Sequence, residues 1–284
     1  MATSTERGAA AAGEIQLGDL RVHRMGFGAM RVCGPDIWGP PKDRAAAHRV
    51  LCRALELGVN FFDTADSYGP EVDEVLIAEA LHPYPEGLVI GTKGGLVRPS
   101  RHRWDRCGRP EHLRRALEGS LRRLKVERID VYQFHAPDPA VPFVESMAAL
   151  AELQRAGKIR HLGVSNVSVA ELAKARRIAP IVSVQNRYNL SDRRSDPVLA
   201  ECGRLGIAFL PWFPLDAGQS LGAVKVKRVA KRIGATPAQV VLAWLLARSP
   251  VMLPIPGTAS LAHLEENVAA ARVALSAEDL AALD

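Results

Sequence analysis

Cysteine is scarce and scattered. Cys33, Cys52, Cys107 and Cys202 form neither a CxxC pair nor a metal-ligand spacing, which argues against a disulfide framework or a structural zinc site. They read as reduced thiols, so a cytoplasmic location and no metal are expected. No run approaches about 18 consecutive apolar residues, so no membrane-spanning helix and no membrane partner are expected. Aromatic residues are only 5% of the chain. The net charge of +6, from 37 basic and 31 acidic residues, gathers over residues 98–125. Arg98, Arg101, Arg103, Arg106, Arg109, Arg114, Arg115, Arg122, Arg123 and Lys125 all fall there. With few aromatics and no recognition motif beside it, this patch reads as a solvated helix face that attracts a phosphorylated small molecule, not nucleic acid. Residues 1–13, MATSTERGAAAAG, have no sustained apolar core. They do not read as a signal peptide, and a disordered tail is expected there.

What the chain does have is apolar sequence, 48% of its 284 residues, enough to bury a core without staples. Short apolar runs alternate with segments of helical period. NFFDT (60–64) precedes a helix over 71–81, and LVIGTK (88–93) one over 110–124, with Pro110 in its first turn. DVYQFH (130–135) precedes 143–156, HLGVSN (161–166) precedes SVAELAKARRI, and IVSVQ (181–185) precedes 196–205. IAFLPW (207–212) leads to 223–232 and 237–248, and VMLPIPG (251–257) opens onto 260–271. The first run, MGFG (25–28), precedes a loop and a helix over 43–57 that Asp43 and Gly58 bracket. About eight such units without a linker predict one α/β domain, a (β/α)8 TIM barrel over 14–284. A doubly wound sheet is the rival, but GFGAM (26–30) lacks the third glycine of its fingerprint. EIQLGDLRVHR (14–24) predicts an N-terminal β-hairpin that caps the barrel floor.

The strand ends share a feature. The second strand ends in Asp63, the third in Lys93 and the fourth in His135. The fifth ends in Ser165 and Asn166, the sixth in Gln185 and the seventh in Trp212. Parallel barrel strands bring these ends to one face, where barrel enzymes keep their chemistry. Taken singly, Asp63 could be a helix cap, Lys93 a solvated turn lysine, His135 a core histidine and Tyr68 a wet loop phenol. Their occurrence at corresponding places in successive units points to a site. Acid-catalysed carbonyl reduction uses all four: Tyr68 gives the proton, and Lys93, aimed by Asp63, lowers the phenol's pKa below its free value near 10. His135 orients the carbonyl oxygen while a hydride arrives from elsewhere.

From about residue 15 to 284 the chain resembles the aldo-keto reductases. GVNFFDTADSYGPEVDEVLIAEAL (58–81) looks like that family's first signature. IGTKGG (90–95), DVYQFH (130–135), GKIRHLGVSN (157–166), VQNRYN (184–189) and PIPGTASLAHLEENVAA (254–270) follow in the family's order. The resemblance implies an NADPH-dependent oxidoreductase acting on a small-molecule carbonyl, with NADH a possible second cofactor, as a monomer or weak homo-oligomer. It carries the proton donor to Tyr68, supported by Asp63, Lys93 and His135. It carries the nicotinamide contacts to Ser165, Asn166, Gln185 and the stacking Trp212. Further cofactor contacts fall to Phe213, Pro214, Leu215, Gly257, Thr258, His263, Glu266 and Asn267. Gly257 and His263 stand where relatives often use Lys and Arg on the 2′-phosphate, so a reduced NADPH preference is expected. Trp38, Trp104 and the HAPDP turn (135–139) are expected to wall the substrate pocket. The rival readings are a cofactor-binding regulatory protein of the same fold, and a barrel lyase using Lys93 as a Schiff base.

Overall fold

A computed structural model describes residues 8–284. Its central sheet is parallel, with neighbours in the order β3 (Phe27–Gly28), β4 (Phe61–Asp63), β5 (Val89–Gly94), β8 (Ile129–Phe134), β9 (Ile159–Ser165), β10 (Ile181–Arg187) and β11 (Ala208–Trp212). The expected eighth strand is not a regular one. Pro254 and Pro256 remove two donors from it. It still closes the ring, since Leu253 N donates to Phe209 O and Gly26 N donates to Pro254 O, each at 2.9 Å. The result is the (β/α)8 barrel expected from the sequence.

Helices α1 (Arg44–Glu56), α2 (Val72–Leu81), α3 (Pro110–Leu124), α4 (Phe143–Arg155), α5 (Val169–Ile178), α6 (Asp196–Leu205), α7 (Val224–Ile233), α8 (Pro237–Arg248), α9 (Leu261–Ala269) and α10 (Ala277–Leu283) complete the helical complement. Asp43 caps α1 as expected, accepting from Ala46 N at 2.8 Å. Gly58 then leaves that helix at φ +81°, a conformation that suits glycine.

The alternation of side chains along each strand sorts the molecule into two cores. Phe62, Ile90, Tyr132, Val164 and Phe209 face outward and pack under the helices. Phe61, Val89, Val131, Leu210 and Leu253 face inward and fill the barrel. The hairpin of β1 (Glu14–Leu17) and β2 (Leu20–His23) plugs the floor with Leu17, Leu20 and Val22. Its turn residue Asp19 accepts from Arg160 Nη2 at 2.6 Å. A second hairpin, β6 (Leu96–Ser100) with β7 (Arg103–Arg106), rises at the mouth.

The expected tail over 1–13 does not hold for its described part. Residues Ala9–Ala12 form a 3-10 turn, Ala9 is fully buried, and its N–H donates to Leu57 O at 2.9 Å. The small side chains of this run let it lie against the end of α1. Residues 1–7 of the expected tail lie outside the described residues. No helix among the described residues is long and apolar enough to cross a membrane.

Candidate active site

The alternation that sends Phe61 inward also sends Asp63 inward, one layer nearer the mouth. By the same parity Val89 leads to Lys93, Val131 to Gln133 and His135, and Leu210 to Trp212. The side chains above the hydrophobic plug are the polar ones.

Lys93 lies at the centre, fully buried. Its Nζ donates to Asp63 Oδ2 at 2.7 Å, to Thr64 O at 2.8 Å and to Tyr68 Oη at 3.3 Å. Three N–H bonds meet three acceptors, so the ammonium is satisfied without water. Burial works against its charge, but Asp63 and Tyr68 together outweigh that and hold its pKa above the ordinary lysine value. Asp63 in turn accepts at Oδ1 from Gln185 Nε2 at 2.8 Å and Gln133 Nε2 at 3.1 Å.

Gln133 was not legible as a site residue. It lies opposite Lys93 in the β5–β8 register, on the inward parity. Gly163 makes its approach possible, because a Cβ there would sit 2.8 Å from Gln133 Cγ and 2.2 Å from Ser183 Oγ.

Tyr68 corrects an expectation. Lys93 does pull its pKa down, but burial is the larger effect and pushes it up to about 12. The phenol therefore holds its proton firmly. His135 is driven the other way, well below the ordinary histidine value, by burial and by the Lys93 charge. Its imidazole is neutral at pH 7. Ser67 Oγ lies 3.5 Å from Nδ1, and the Tyr68 ring stands edge-on with centroids 5.9 Å apart.

A cavity of about 430 Å³ opens above this group. Asp63, Tyr68 and His135 form its floor, with Ser165, Asn166, Gln185 and Trp212 on one side and Ile37, Leu96 and Trp104 on another. Asn166 holds a left-handed backbone at φ +59°. Its Nδ2 donates to His135 O at 2.9 Å, and its Oδ1 accepts from Trp212 Nε1 at 3.0 Å. Ser165 Oγ donates to Gln185 O at 2.7 Å. These residues are thus already linked to one another and to the floor.

The remaining candidates divide. Phe213, Pro214, Leu215 and Gly257 line the cavity; Thr258, His263, Glu266 and Asn267 lie beyond it on the approach to α9 and along that helix. Thr258 Oγ1 accepts from Ser260 N at 3.1 Å, which leaves its hydroxyl proton free to donate. Trp104 lines the cavity as expected. Trp38 does not: it packs behind Arg98, whose guanidinium carbon is 5.3 Å from its ring. Of the HAPDP turn only His135 reaches the cavity, while Asp138 is engaged with Gly108 N and Ala140 N. The lyase reading fails on Lys93 itself, which is charged, saturated with acceptors and absent from the cavity lining.

Residues 24–284 match the model of the aldo/keto reductase family. An uncharacterised oxidoreductase of Schizosaccharomyces pombe is 49% identical over 284 residues, covering 100% of this chain and 92% of that protein. The pyridoxine 4-dehydrogenase of Escherichia coli is 45% identical over 94% of this chain and 96% of its own length. Among solved structures, an aldo-keto reductase from Klebsiella pneumoniae in complex with NADPH superposes with a TM-score of 0.80. It is 26% identical, over 93% of this chain and 90% of that one.

Proposed function

The chain belongs to the aldo/keto reductase family, and from that premise we propose that it reduces an aldehyde or ketone to the alcohol, with NADPH as hydride donor and Tyr68 as proton donor. The observation that carries this reading is the Lys93 ammonium bridging Asp63 and Tyr68 Oη directly beneath the cavity.

The residues present suit the cofactor. Trp212 offers a flat aromatic wall on the cavity, Gln185 Oε1 remains an acceptor, and Ser165 keeps a free lone pair. Thr258 and the first turn of α9 offer donors to a phosphate. Trp212, Ser165, Asn166 and Gln185 would hold the nicotinamide, with Phe213 to Leu215 and Gly257 along its length and Thr258, His263, Glu266 and Asn267 at the adenosine end. When bound, the reduced nicotinamide supplies the hydride.

The protein's own groups do the rest. The carbonyl oxygen sits between Tyr68 Oη and the neutral His135 imidazole, which holds it without giving up a charge. As negative charge grows on that oxygen, Tyr68 passes it the phenolic proton. Lys93 then stabilises the phenolate left behind, and Asp63 with its two glutamines keeps the ammonium in place. The apolar wall of Leu96, Ile37 and Trp104 limits water at the reacting carbon.

Pyridoxal is the first substrate to try, because a relative of 45% identity is named for pyridoxine and the cavity's substrate side is aromatic and aliphatic. NADPH consumption should be followed with pyridoxal, benzaldehyde and short aldehydes. Saturable oxidation of NADPH, lost in Tyr68→Phe, supports the reading. Tight NADPH binding with no turnover on any aldehyde would instead mark a regulatory relative of the same fold.

A further inference from the structure

Arg98 is buried at the barrel mouth, 8% exposed, with no carboxylate partner among the described residues. Isolated guanidinium groups are unfavourable in such a place. Here its plane and its two Nη groups engage the hairpin and the loop that carry the pocket wall, while Nε has no partner. The guanidinium carbon is 3.8 Å from the Trp104 ring centroid and 5.3 Å from that of Trp38. Nη1 donates to Ile37 O at 3.0 Å, and Nη2 donates to Asp36 O at 3.3 Å and to the Arg101 carbonyl.

The hairpin explains how Arg98 comes to this position. Leu96 pairs with Arg106, Val97 with Asp105 and then Ser100 with Arg103, so Arg98 and Trp104 fall in the irregular step between paired residues. Pro99 follows, and the ladder slips between Val97 and Ser100. The slip leaves Arg98 committed to the wall instead of to regular pairing.

Arg98 also spans two separate segments. Leu96 and Trp104 come from the hairpin, and Ile37 comes from the loop after β3; all three line the cavity. That loop is fastened to the residue after Tyr68, with Gly39 N donating to Gly69 O at 2.9 Å and Gly69 N to Ile37 O at 3.3 Å. Trp104 stands edge-on to Tyr68, centroids 6.3 Å apart, yet is 37% exposed. An exposed indole on a hairpin has little else to fix it.

We infer that Arg98 is a positioning residue that sets specificity: it clamps Trp104 and Ile37 into a rigid apolar wall, through which the site favours planar aromatic aldehydes over short aliphatic ones. This rests on the carbonyl-reductase reading. The planar guanidinium is what allows stacking and carbonyl binding together, and an ammonium cannot reproduce both.

The test compares benzaldehyde with propanal in wild type, Arg98→Met, Arg98→Lys, Trp104→Ala and the Arg98→Met, Trp104→Ala pair. Arg98→Met should raise KM for benzaldehyde about tenfold or more, with propanal changed less than about twofold and NADPH affinity unchanged. Arg98→Lys should fall between, and it carries the comparison alone if the methionine variant does not fold. Trp104→Ala should show the same selective loss, and adding Arg98→Met should deepen it no further. Equal losses on both aldehydes, no loss on either, or losses that multiply in the pair would overturn the assignment. If wild type reduces neither of these aldehydes nor pyridoxal, the carbonyl-reductase reading fails by itself. Calorimetric binding of benzaldehyde to the NADPH-loaded protein then decides: selective weakening in Arg98→Lys supports the clamp, and unchanged binding refutes it.

Discussion

Asp63 and Lys93 form an ion pair of 2.7 Å on neighbouring strands, 2% and 0% exposed. Removing one member of such a pair leaves an uncompensated buried charge, at a cost of about 3–5 kcal/mol. Lys93→Met should therefore be destabilised by that order in urea unfolding. Adding Asp63→Asn should restore part of the loss. A Lys93→Met protein as stable as wild type at every pH would show that the pair contributes no such constraint.

Tyr68→Phe should separate chemistry from architecture. The change deletes one 3.3 Å hydrogen bond and leaves the aromatic packing against His135 and Trp104 in place. Stability and NADPH affinity should hardly move, while kcat for aldehyde reduction falls about 10²–10⁴-fold. Retention of more than about a tenth of the wild-type kcat would remove Tyr68 from the acid role.

The barrel, its floor hairpin and the Asp63, Tyr68, Lys93, His135 group were legible because period-two alternation and strand-end polarity are local properties of the sequence. Gln133 was not, since its partner Asp63 is 70 residues away and its access depends on the missing side chain of Gly163. Arg98 was visible only as one arginine among many; its two indoles come from separate segments. The raised Tyr68 pKa is not legible in the sequence, which shows the ammonium partner but not the degree of burial. The eighth strand was overstated because its two prolines interrupt the ladder without preventing closure.

Asp73 offers a pH test. It is fully buried in the first turn of α2, where Thr64 Oγ1 donates at 2.7 Å and Cys33 Sγ lies 3.6 Å away. Burial raises its pKa to about 7. A carboxyl that holds its proton more tightly when folded favours folding below the unfolded value of about 4. That advantage is lost progressively as pH rises to about 7 and stays lost above it. Asp73→Asn removes the penalty, so its stability relative to wild type should improve between pH 4 and 7, by up to about 4 kcal/mol. Parallel urea curves across that range would show that Asp73 ionises as freely in the folded state as in the unfolded chain.

The proposed adenosine end predicts a modest cofactor preference. Gly257 offers no side chain, His263 is exposed, and Thr258 is the one hydroxyl near the start of α9 apart from the capping Ser260. NADPH should bind more tightly than NADH, and His263→Arg should widen the ratio through a charge-assisted contact to the 2′-phosphate. Fluorescence titration with both cofactors measures it. A wild-type preference for NADH would overturn the assignment of this end.

Trp212 is tied to the site by its indole N–H, which donates to Asn166 Oδ1, and its ring lines the cavity beside Ser165 and Gln185. If the nicotinamide stacks there, NADPH binding should quench Trp212 emission. Trp212→Ala should weaken cofactor affinity and release the Asn166 side chain. The loosened hydride geometry should also lower kcat, since misplacement by about 1 Å can cost roughly 10²-fold. Three other indoles emit as well, so the decisive quantity is the difference between wild type and variant. Trp244 supplies an internal reference, being fully buried and stacked on Tyr188 with centroids 6.0 Å apart, whereas Trp38 and Trp104 sit together around Arg98. An equal fractional quench in both proteins, with unchanged affinity and kcat, would mean that the ring packs against Phe213 and Arg187 and does not form the cofactor platform.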